Sequence, residues 1–334
     1  MTKTPEDLPS DMETKNELQE PMASPEPSRR ISFNPQKHWI IITLITFLAG
    51  SLGGFGIGRY SVQREMAAEP GHSNIMQELS GEINPQGGFI IPVMYDDVGP
   101  KLLAAGAIDL NTFEQLYQQS GQPLTEQEIE ILTKGSQNQI VITSENAHFL
   151  LNYFWALGLT NKNPLLDNGP IQEASDGKID RFASTGGWTI GAKPVNELFS
   201  SSAIISLSAE QQARVEEVAK AVYRPCCDNP THFPDCNHGM AMLGLLELMA
   251  SQNATTEEMF LAAKYINAFW FPQQTLEQAI YFKATENKNY EDVDAKLIVG
   301  QQYSSGSGFQ NKHQWLSQNG LLEQSSKSGN NCGV

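Results

Sequence analysis

The stretch YRPCCDNPTHFPDCNHGMAMLGLLELM, Tyr223–Met249, joins a proline-rich segment to an apolar one. Three of the chain's four cysteines and two of its six histidines fall within the thirteen residues Cys226–His238. A proline disrupts a helix and disfavours helical geometry in the residue before it. The prolines at Pro225, Pro230 and Pro234 therefore predict a tight loop between two helices.

The second of these helices is predicted to begin near His238, with Asp235 or Asn237 as its N-cap. Cys236 would then lie at a helix N-terminus, where the helix dipole stabilises a thiolate. Closing a loop between two helix ends would bring its cysteines and histidines towards a single point.

Thiolate and imidazole ligands in a compact loop suit Zn²⁺ or Cu⁺ rather than Ca²⁺ or Mg²⁺. The spacing Cys-Cys-x8-Cys-x-His matches none of the common zinc-finger patterns, which use Cys-x2-4-Cys pairs. The sequence still predicts a soft-metal site in this loop. The predicted ligands are Cys226, Cys227, Cys236 and His238, with His232 and Cys332 in reserve.

Two alternatives compete with a metal site. In the first, the four cysteines form structural disulfides, and Cys332 pins the C-terminal tail to the body of the protein. In the second, the thiols carry out redox chemistry, since a bridge between the neighbours Cys226 and Cys227 would be strained and easily reduced. No Cys-x-x-Cys motif supports the redox alternative.

The segment from Arg224 to Ile266 resembles the core of cysteine-rich bacterial lipoproteins named for a Pro-Cys-Tyr-Cys-Gly-Cys motif. Pro225 and Cys226 match the start of that motif, but Cys227 stands where the family has tyrosine, and the further motif cysteines are missing. The resemblance implies a metal-associated surface protein. The chain as a whole resembles bacterial envelope proteins with a Cys-Cys-x8-Cys-Asn-His-Gly loop.

A second apolar stretch, WIIITLITFLAGSLGGFGI or Trp39–Ile57, contains 19 residues without a charge. As a helix it would be roughly 28 Å long, close to the thickness of a bilayer core. Trp39 and Tyr60 lie where aromatic residues commonly meet the membrane surface. The sequence therefore predicts a single transmembrane anchor.

The orientation of this anchor follows from the basic residues around it. Positive charge is enriched on the cytoplasmic side, and three basic residues precede the span while two follow it: Arg29, Arg30 and Lys37, then Arg59 and Arg64. This favours a single-pass protein of the cell membrane with an extracytoplasmic C-terminal domain. An exported precursor whose span is cleaved is the alternative. Gly50, Gly54 and Gly58 share one helix face and predict a homodimer contact.

The rest of the chain is predicted to be mainly α-helical, with a few short strands. Three helix starts carry the capping-box pattern, at Thr125 and Glu128, Ser208 and Gln211, and Thr255 and Glu258. His148 is interpreted as a core or edge histidine. The predicted domains are a disordered cytoplasmic tail 1–37, an anchor 38–60, a linker 61–88, a helical domain 89–305 and a flexible tail 306–334.

The net charge of the chain and the motifs that it lacks argue against two classes of function, nucleic-acid binding and catalysis. The formal net charge of −16 opposes binding to nucleic acid, and no basic stripe reverses it locally. None of the common hydrolase, phosphate-loop or haem-attachment motifs occurs, so no catalytic residue is predicted. The sequence favours a binding protein over an enzyme.

Overall fold

A computed structural model describes residues 72–322, and this part of the chain is mainly helical with one pair of strands. The strands are β1 (Phe89–Asp96) and β2 (Ser136–Ile142). The helices before residue 200 are α1 (His72–Ile83), α2 (Val98–Ala105), α3 (Leu110–Gln119), α4 (Glu126–Lys134), α5 (Ala147–Thr160), α6 (Pro164–Asp167), α7 (Pro170–Ala174), a 3-10 helix (Ile179–Arg181), α8 (Ala183–Gly186) and α9 (Val195–Leu198). They are followed by α10 (Ala209–Ala221), α11 (Asn237–Ser251), α12 (Thr256–Trp270), α13 (Pro272–Glu286), α14 (Ala295–Ile298), α15 (Gln301–Ser304) and α16 (Gly306–Gln318).

The membrane prediction is corrected by this fold. Within residues 72–322, no helix is long and apolar enough to cross a membrane. The longest helices there have 15 residues, or about 22 Å, against the ~30 Å of a bilayer core. The predicted fold class, with its transmembrane helix, and the predicted single-pass localisation with an extracytoplasmic domain are both wrong on this finding. The segment 38–60 and its three glycines lie outside the described residues.

Helices also occupy parts of the chain that were predicted to lack them. Helix α1 lies within the predicted linker 61–88, and Leu79 and Ile83 on it are buried. Helix α16 lies within the predicted flexible tail 306–334, and its Leu316 is buried as well. The folded part of the chain therefore begins before residue 89 and continues past residue 305.

The two strands form an antiparallel pair in which Phe89 lies opposite Ile142 and Ile91 opposite Ile140. Alternate residues of β1 point into the core, as expected for a strand covered on one side. The side chain of Gln252 bonds to both backbone groups of Met94, accepting from its N–H and donating to its carbonyl oxygen, each at 2.8 Å. Gln252 thereby ties β1 to the end of α11.

Helices α5 and α11 are buried along almost their whole length and pack directly against each other. Gly158 and Gly244 allow this close approach. A Cβ at Gly158 would lie 2.1 Å from the carbonyl oxygen of Met240, and one at Gly244 would lie 2.3 Å from that of Phe154. The backbones touch because neither glycine carries a side chain.

A buried carboxyl group joins the ends of this helix pair. Glu247 on α11 accepts hydrogen bonds from the amides of Asn161 (3.1 Å) and Asn163 (2.5 Å), which follow α5. Both amide oxygens are occupied, by the N–H groups of Ile205 and Leu165 respectively. The two amides are thus held as donors towards Glu247.

Glu247 should make the stability of the protein depend on pH. Burial raises its pKa from the ordinary 4.5 to about 8, although the bonds from Asn163 and Asn161 lower it in part. A raised folded-state pKa means that the stabilisation is complete below pH 4.5 and is lost as pH rises to about 8. The free energy of unfolding should fall by a few kcal/mol across this window, as measured by urea denaturation at a series of pH values.

The control for this prediction is Glu247→Gln, which cannot titrate. Lys264 and Lys312 have pKa values lowered by burial to about 8 and about 7, and they titrate in both proteins. The difference between wild type and variant therefore isolates Glu247. A difference that stays constant from pH 5 to pH 8 would contradict the prediction.

Candidate metal centre

The loop between α10 and α11 folds back onto the end of α10. The N–H of Thr231 donates to the carbonyl oxygen of Val222, and that of His232 donates to the carbonyl oxygen of Ala219, each at 2.9 Å. The chain leaves α10 at Val222 and enters α11 at Cys236. The loop is therefore closed, as the prolines predicted, and its two ends lie side by side.

Arg224 organises the interior of this loop. Its side chain is only 1% exposed, and it donates to the carbonyl oxygen of Asn229 (2.8 Å), to Asp235 Oδ1 (2.8 Å) and to Cys236 Sγ (3.1 Å). Asn229 in turn donates from Nδ2 to Asp235 Oδ2 at 2.8 Å. One guanidinium thus links the start, middle and end of the loop, which uses the fixed fork geometry of arginine.

The last residue of the Cys-Asn-His-Gly sequence, Gly239, packs directly against the guanidinium of Arg224. A Cβ there would lie 2.3 Å from Arg224 Nη2 and 2.5 Å from its Cζ. A side chain at this position would therefore displace the guanidinium that supports the loop.

Gly239→Ala should accordingly destabilise the protein by about 1–3 kcal/mol, the usual cost of overpacking a filled interior, despite the better helix propensity of alanine. The free energy of unfolding in urea measures the effect. Gly87→Ala is the control, because a Cβ at Gly87 would meet no atom within 4 Å. Equal stability of the two variants would contradict this account of Gly239.

Cys236 is the N-cap of α11, in place of the predicted Asp235 or Asn237. Its sulfur accepts from the N–H of Gly239 at 3.4 Å and from Nε of Arg224 at 3.1 Å. Two donors and the positive end of a helix dipole all favour the thiolate. The side chain of Asp235 is engaged by Arg224 instead.

Three of the predicted ligands come together around Cys236. The sulfurs of Cys226 and Cys236 lie 3.5 Å apart, well beyond the ~2.05 Å of a disulfide bond, and the described cysteines are free thiols. The ligand atoms of Cys226, Cys236 and His238 all lie within 4.8 Å of one another. These three side chains could hold one metal ion.

Cys227 belongs to a second group, with Asp235 and Cys236. Its sulfur lies 3.7 Å from Asp235 Oδ1 and 3.8 Å from the carbonyl oxygen of Asn229. Both oxygens of Asp235 already accept hydrogen bonds, from Arg224 and Asn229. The second group is thus a poorer metal site than the first, because one of its ligands is already committed.

His238 sits against aromatic rings at the start of α11. Its ring centroid lies 4.4 Å from that of Phe271 and 5.7 Å from that of Trp270. Burial lowers the pKa of His238 to about 4; Cys236 opposes this effect and Arg224 adds to it. The imidazole is therefore neutral near pH 7, which is the form that binds a metal ion.

The three thiols differ sharply in acidity. The pKa of Cys236 lies well below its ordinary value because of its interactions with the neighbouring thiols of Cys226 and Cys227 and the charge of Arg224. Bonds with Cys227 and Cys236 raise the pKa of Cys226. The bond with Cys226 lowers the pKa of Cys227, but the bond with Cys236 and burial outweigh it and raise the pKa to about 11. Cys236 is therefore the most acidic thiol of the group.

Helix α16 supports the loop from outside. The N–H of Gly306 donates to the carbonyl oxygen of Cys227 at 2.8 Å, and the N–H of Ser307 donates to Asp228 Oδ1 at 2.7 Å. The bond from Ser307 lowers the pKa of Asp228. The candidate site thus depends on residues about 80 positions away, in the segment predicted as a tail.

The remaining predicted ligands fall elsewhere. His232 belongs to neither ligand group, and burial together with Lys220 lowers its pKa. Cys332 lies outside the described residues. Met240 and Met242, which follow the loop on α11, are buried in the core. Arg224 was missed as a site residue, although an arginine directly before Pro-Cys-Cys was the available signal.

Comparison of the chain with protein-family models, curated proteins and solved structures finds no match. The resemblance to the cysteine-rich lipoproteins accordingly stays a prediction.

Proposed function

We propose that the protein binds one soft metal ion, Zn²⁺ or Cu⁺, through Cys226, Cys236 and His238. The observation that carries this proposal is the convergence of two sulfurs and an imidazole nitrogen within 4.8 Å. With metal–sulfur bonds of about 2.3 Å, two thiolates of a tetrahedral site lie roughly 3.8 Å apart. The 3.5 Å between Cys226 and Cys236 is close to this value.

The charges around the site favour the divalent ion. Arg224 and Asp235 form an ion pair with a 2.8 Å contact and offset each other. Two thiolates and one Zn²⁺ also sum to zero, whereas two thiolates and one Cu⁺ leave a negative charge. Since uncompensated charge is costly where side chains are partly shielded from water, as Cys236 and His238 are, Zn²⁺ is the better fit. Arg224 would keep its N–H bond to the Cys236 sulfur in the bound state.

Three protein ligands leave a fourth position on a tetrahedral ion. Cys226 is exposed, so this position can face solvent or a small ligand. Cys227 is the reserve ligand, since its sulfur lies within 4.8 Å of that of Cys236.

Metal analysis of the full-length chain, made without a histidine tag, tests the proposal. The wild type should carry about one zinc ion per chain after reconstitution under reducing conditions. Cys236→Ser should lose the ion, because a serine hydroxyl is a poor ligand for a soft metal. His238→Ala should bind at least about tenfold more weakly, as one of three ligands is lost.

His232→Ala is the matched control, because His232 lies in the same loop but outside both ligand groups. It should bind zinc as the wild type does. The proposal would be overturned if the wild-type protein stayed metal-free with all its thiols reduced. It would also be overturned if His232→Ala lost as much zinc as Cys236→Ser.

Thiol–disulfide exchange is the second candidate function, favoured by the 3.5 Å separation of the Cys226 and Cys236 sulfurs. Here a small disulfide reagent would take two electrons from the pair and release two thiols, leaving a Cys226–Cys236 bond. Mass spectrometry after treatment with such a reagent separates the candidates. A bond that forms equally fast with and without zinc would favour redox chemistry, while protection by stoichiometric zinc would favour the metal site.

A further inference from the structure

A cavity of about 400 Å³ opens between the end of β1, helices α3 and α4 and the start of α5. It lies in a different part of the sequence from the Cys226–His238 loop. Its volume is in the range of small-molecule binding sites. Its rim is formed by exposed residues of the α3–α4 connection and of α4, including Gln122, Pro123 and Gln127.

The floor of this cavity is aromatic and buried. Tyr95, Tyr117 and Phe149 line it and are each no more than 5% exposed. Three π-systems therefore lie at the bottom of a site that is open to solvent at the rim. Such a floor supplies apolar contact area to a ligand.

A hydrogen-bonded group fixes part of this floor. Asn152 Nδ2 lies 2.9 Å from the Tyr117 hydroxyl, to which it donates, and 3.3 Å from His148 Nε2. The rings of Tyr117 and His148 also stack, with centroids 5.0 Å apart. The side chains are thus held in place before any ligand arrives, which lowers the entropic cost of binding.

The charged groups of the lining are all negative. Glu128 and Glu145 are carboxylates, and no lysine or arginine lines the cavity. Burial lowers the pKa of His148, so this imidazole is neutral near pH 7. Glu145 directly precedes the first turn of α5 and offsets the positive end of that helix dipole.

Only one of the two carboxylate oxygens of Glu128 takes part in the helix cap. Its Oε2 accepts from the N–H and the hydroxyl of Thr125, at 2.8 and 2.9 Å, in the capping box of α4. Its Oε1 makes no hydrogen bond or ion pair with the described residues. This oxygen can therefore face a cationic ligand while the helix cap remains intact.

We propose that this cavity binds a small organic cation, of the substituted-ammonium class, between the aromatic floor and the carboxylates at Glu128 and Glu145. The charged head is attracted by the carboxylates, and the alkyl part covers apolar surface. This activity is separate from metal binding by the loop.

Titration of the full-length protein with choline, followed by ligand-observed NMR, tests the proposal. The neutral probe 3,3-dimethyl-1-butanol has the same shape without the charge and should bind roughly tenfold more weakly. Glu128→Gln should weaken choline binding about tenfold, because it removes a negative charge that attracts the trimethylammonium head. Glutamine also serves in a capping box, so the variant should fold, which circular dichroism checks.

Glu258→Gln is the matched control, because Glu258 makes the same capping box with Thr255 at the start of α12 and does not line the cavity. It should bind choline as the wild type does. No detectable choline binding at millimolar concentration would overturn the proposal. The proposal would also be overturned if the neutral probe bound as tightly as choline, or if the anionic probe 3,3-dimethylbutyrate bound more tightly. Equal effects of Glu128→Gln and Glu258→Gln on choline binding would likewise contradict it.

Discussion

Replacing Gly158 by alanine should lower the free energy of unfolding by about 2–3 kcal/mol, as expected for an insertion into a filled interior. The added Cβ would lie 2.1 Å from the carbonyl oxygen of Met240 and 2.9 Å from the backbone nitrogen of Gly244. Backbone atoms cannot rotate away as side chains do, so helices α5 and α11 would have to separate. Urea denaturation followed by circular dichroism measures the loss.

Gly81→Ala provides the control for this prediction. Gly81 lies within helix α1, where a Cβ would meet no atom within 4 Å. Alanine there should stabilise the protein by about 0.5–1 kcal/mol, since glycine is a weak helix former. A neutral or stabilising effect of Gly158→Ala would show that the two helices do not pack as described.

Arg224→Met should destabilise the protein by about 3–5 kcal/mol, the usual effect of removing one partner from a buried ion pair. The variant keeps most of the side-chain volume but removes the 2.8 Å arginine partner of Asp235 and leaves the carbonyl oxygen of Asn229 with only the weaker Cys227 contact at 3.8 Å. It also removes the N–H bond to Cys236. We therefore expect zinc affinity to fall together with stability, and thermal unfolding with and without zinc measures both.

The matched control removes a surface arginine. Arg181 is 53% exposed and its nearest carboxylate oxygen, on Asp176, lies 3.5 Å away. Arg181→Met should change stability by less than about 0.5 kcal/mol, since exposed ion pairs contribute little. Similar losses from the two variants would mean that Arg224 does not organise the loop.

Local features of the fold could be predicted from the sequence because their causes are local. The capping boxes at Thr125, Ser208 and Thr255 are all present, each with its side-chain and backbone bonds in both directions. Each box depends on residues three positions apart. The break between α10 and α11 follows in the same way from prolines within the loop.

The candidate site was only partly predictable. Sequence proximity indicated that Cys226, Cys236 and His238 would lie close together. It could not show that a buried Arg224 would occupy the centre of the loop, or that Gly239 would leave space for it. These features depend on how the loop closes in three dimensions.

The cavity near His148 escaped the sequence analysis for a related reason. Its lining comes from β1, α3, α4 and α5, which are separated along the chain, and no short motif marks it.

The membrane prediction was wrong for a different reason. It rested on one apolar run outside the described residues, whereas the apolar helices α5 and α11 are core elements of 14 and 15 residues.

X-ray absorption at the zinc edge of the reconstituted full-length protein tests the metal proposal most directly. The proposal predicts two sulfur ligands at about 2.3 Å and one imidazole nitrogen at about 2.0 Å, with any fourth ligand light or a third sulfur. Cys236→Ser should retain no zinc for the measurement, while the imidazole signal should disappear from the zinc that remains in His238→Ala. A spectrum with only oxygen and nitrogen around zinc would contradict the assignment of this loop as a metal centre.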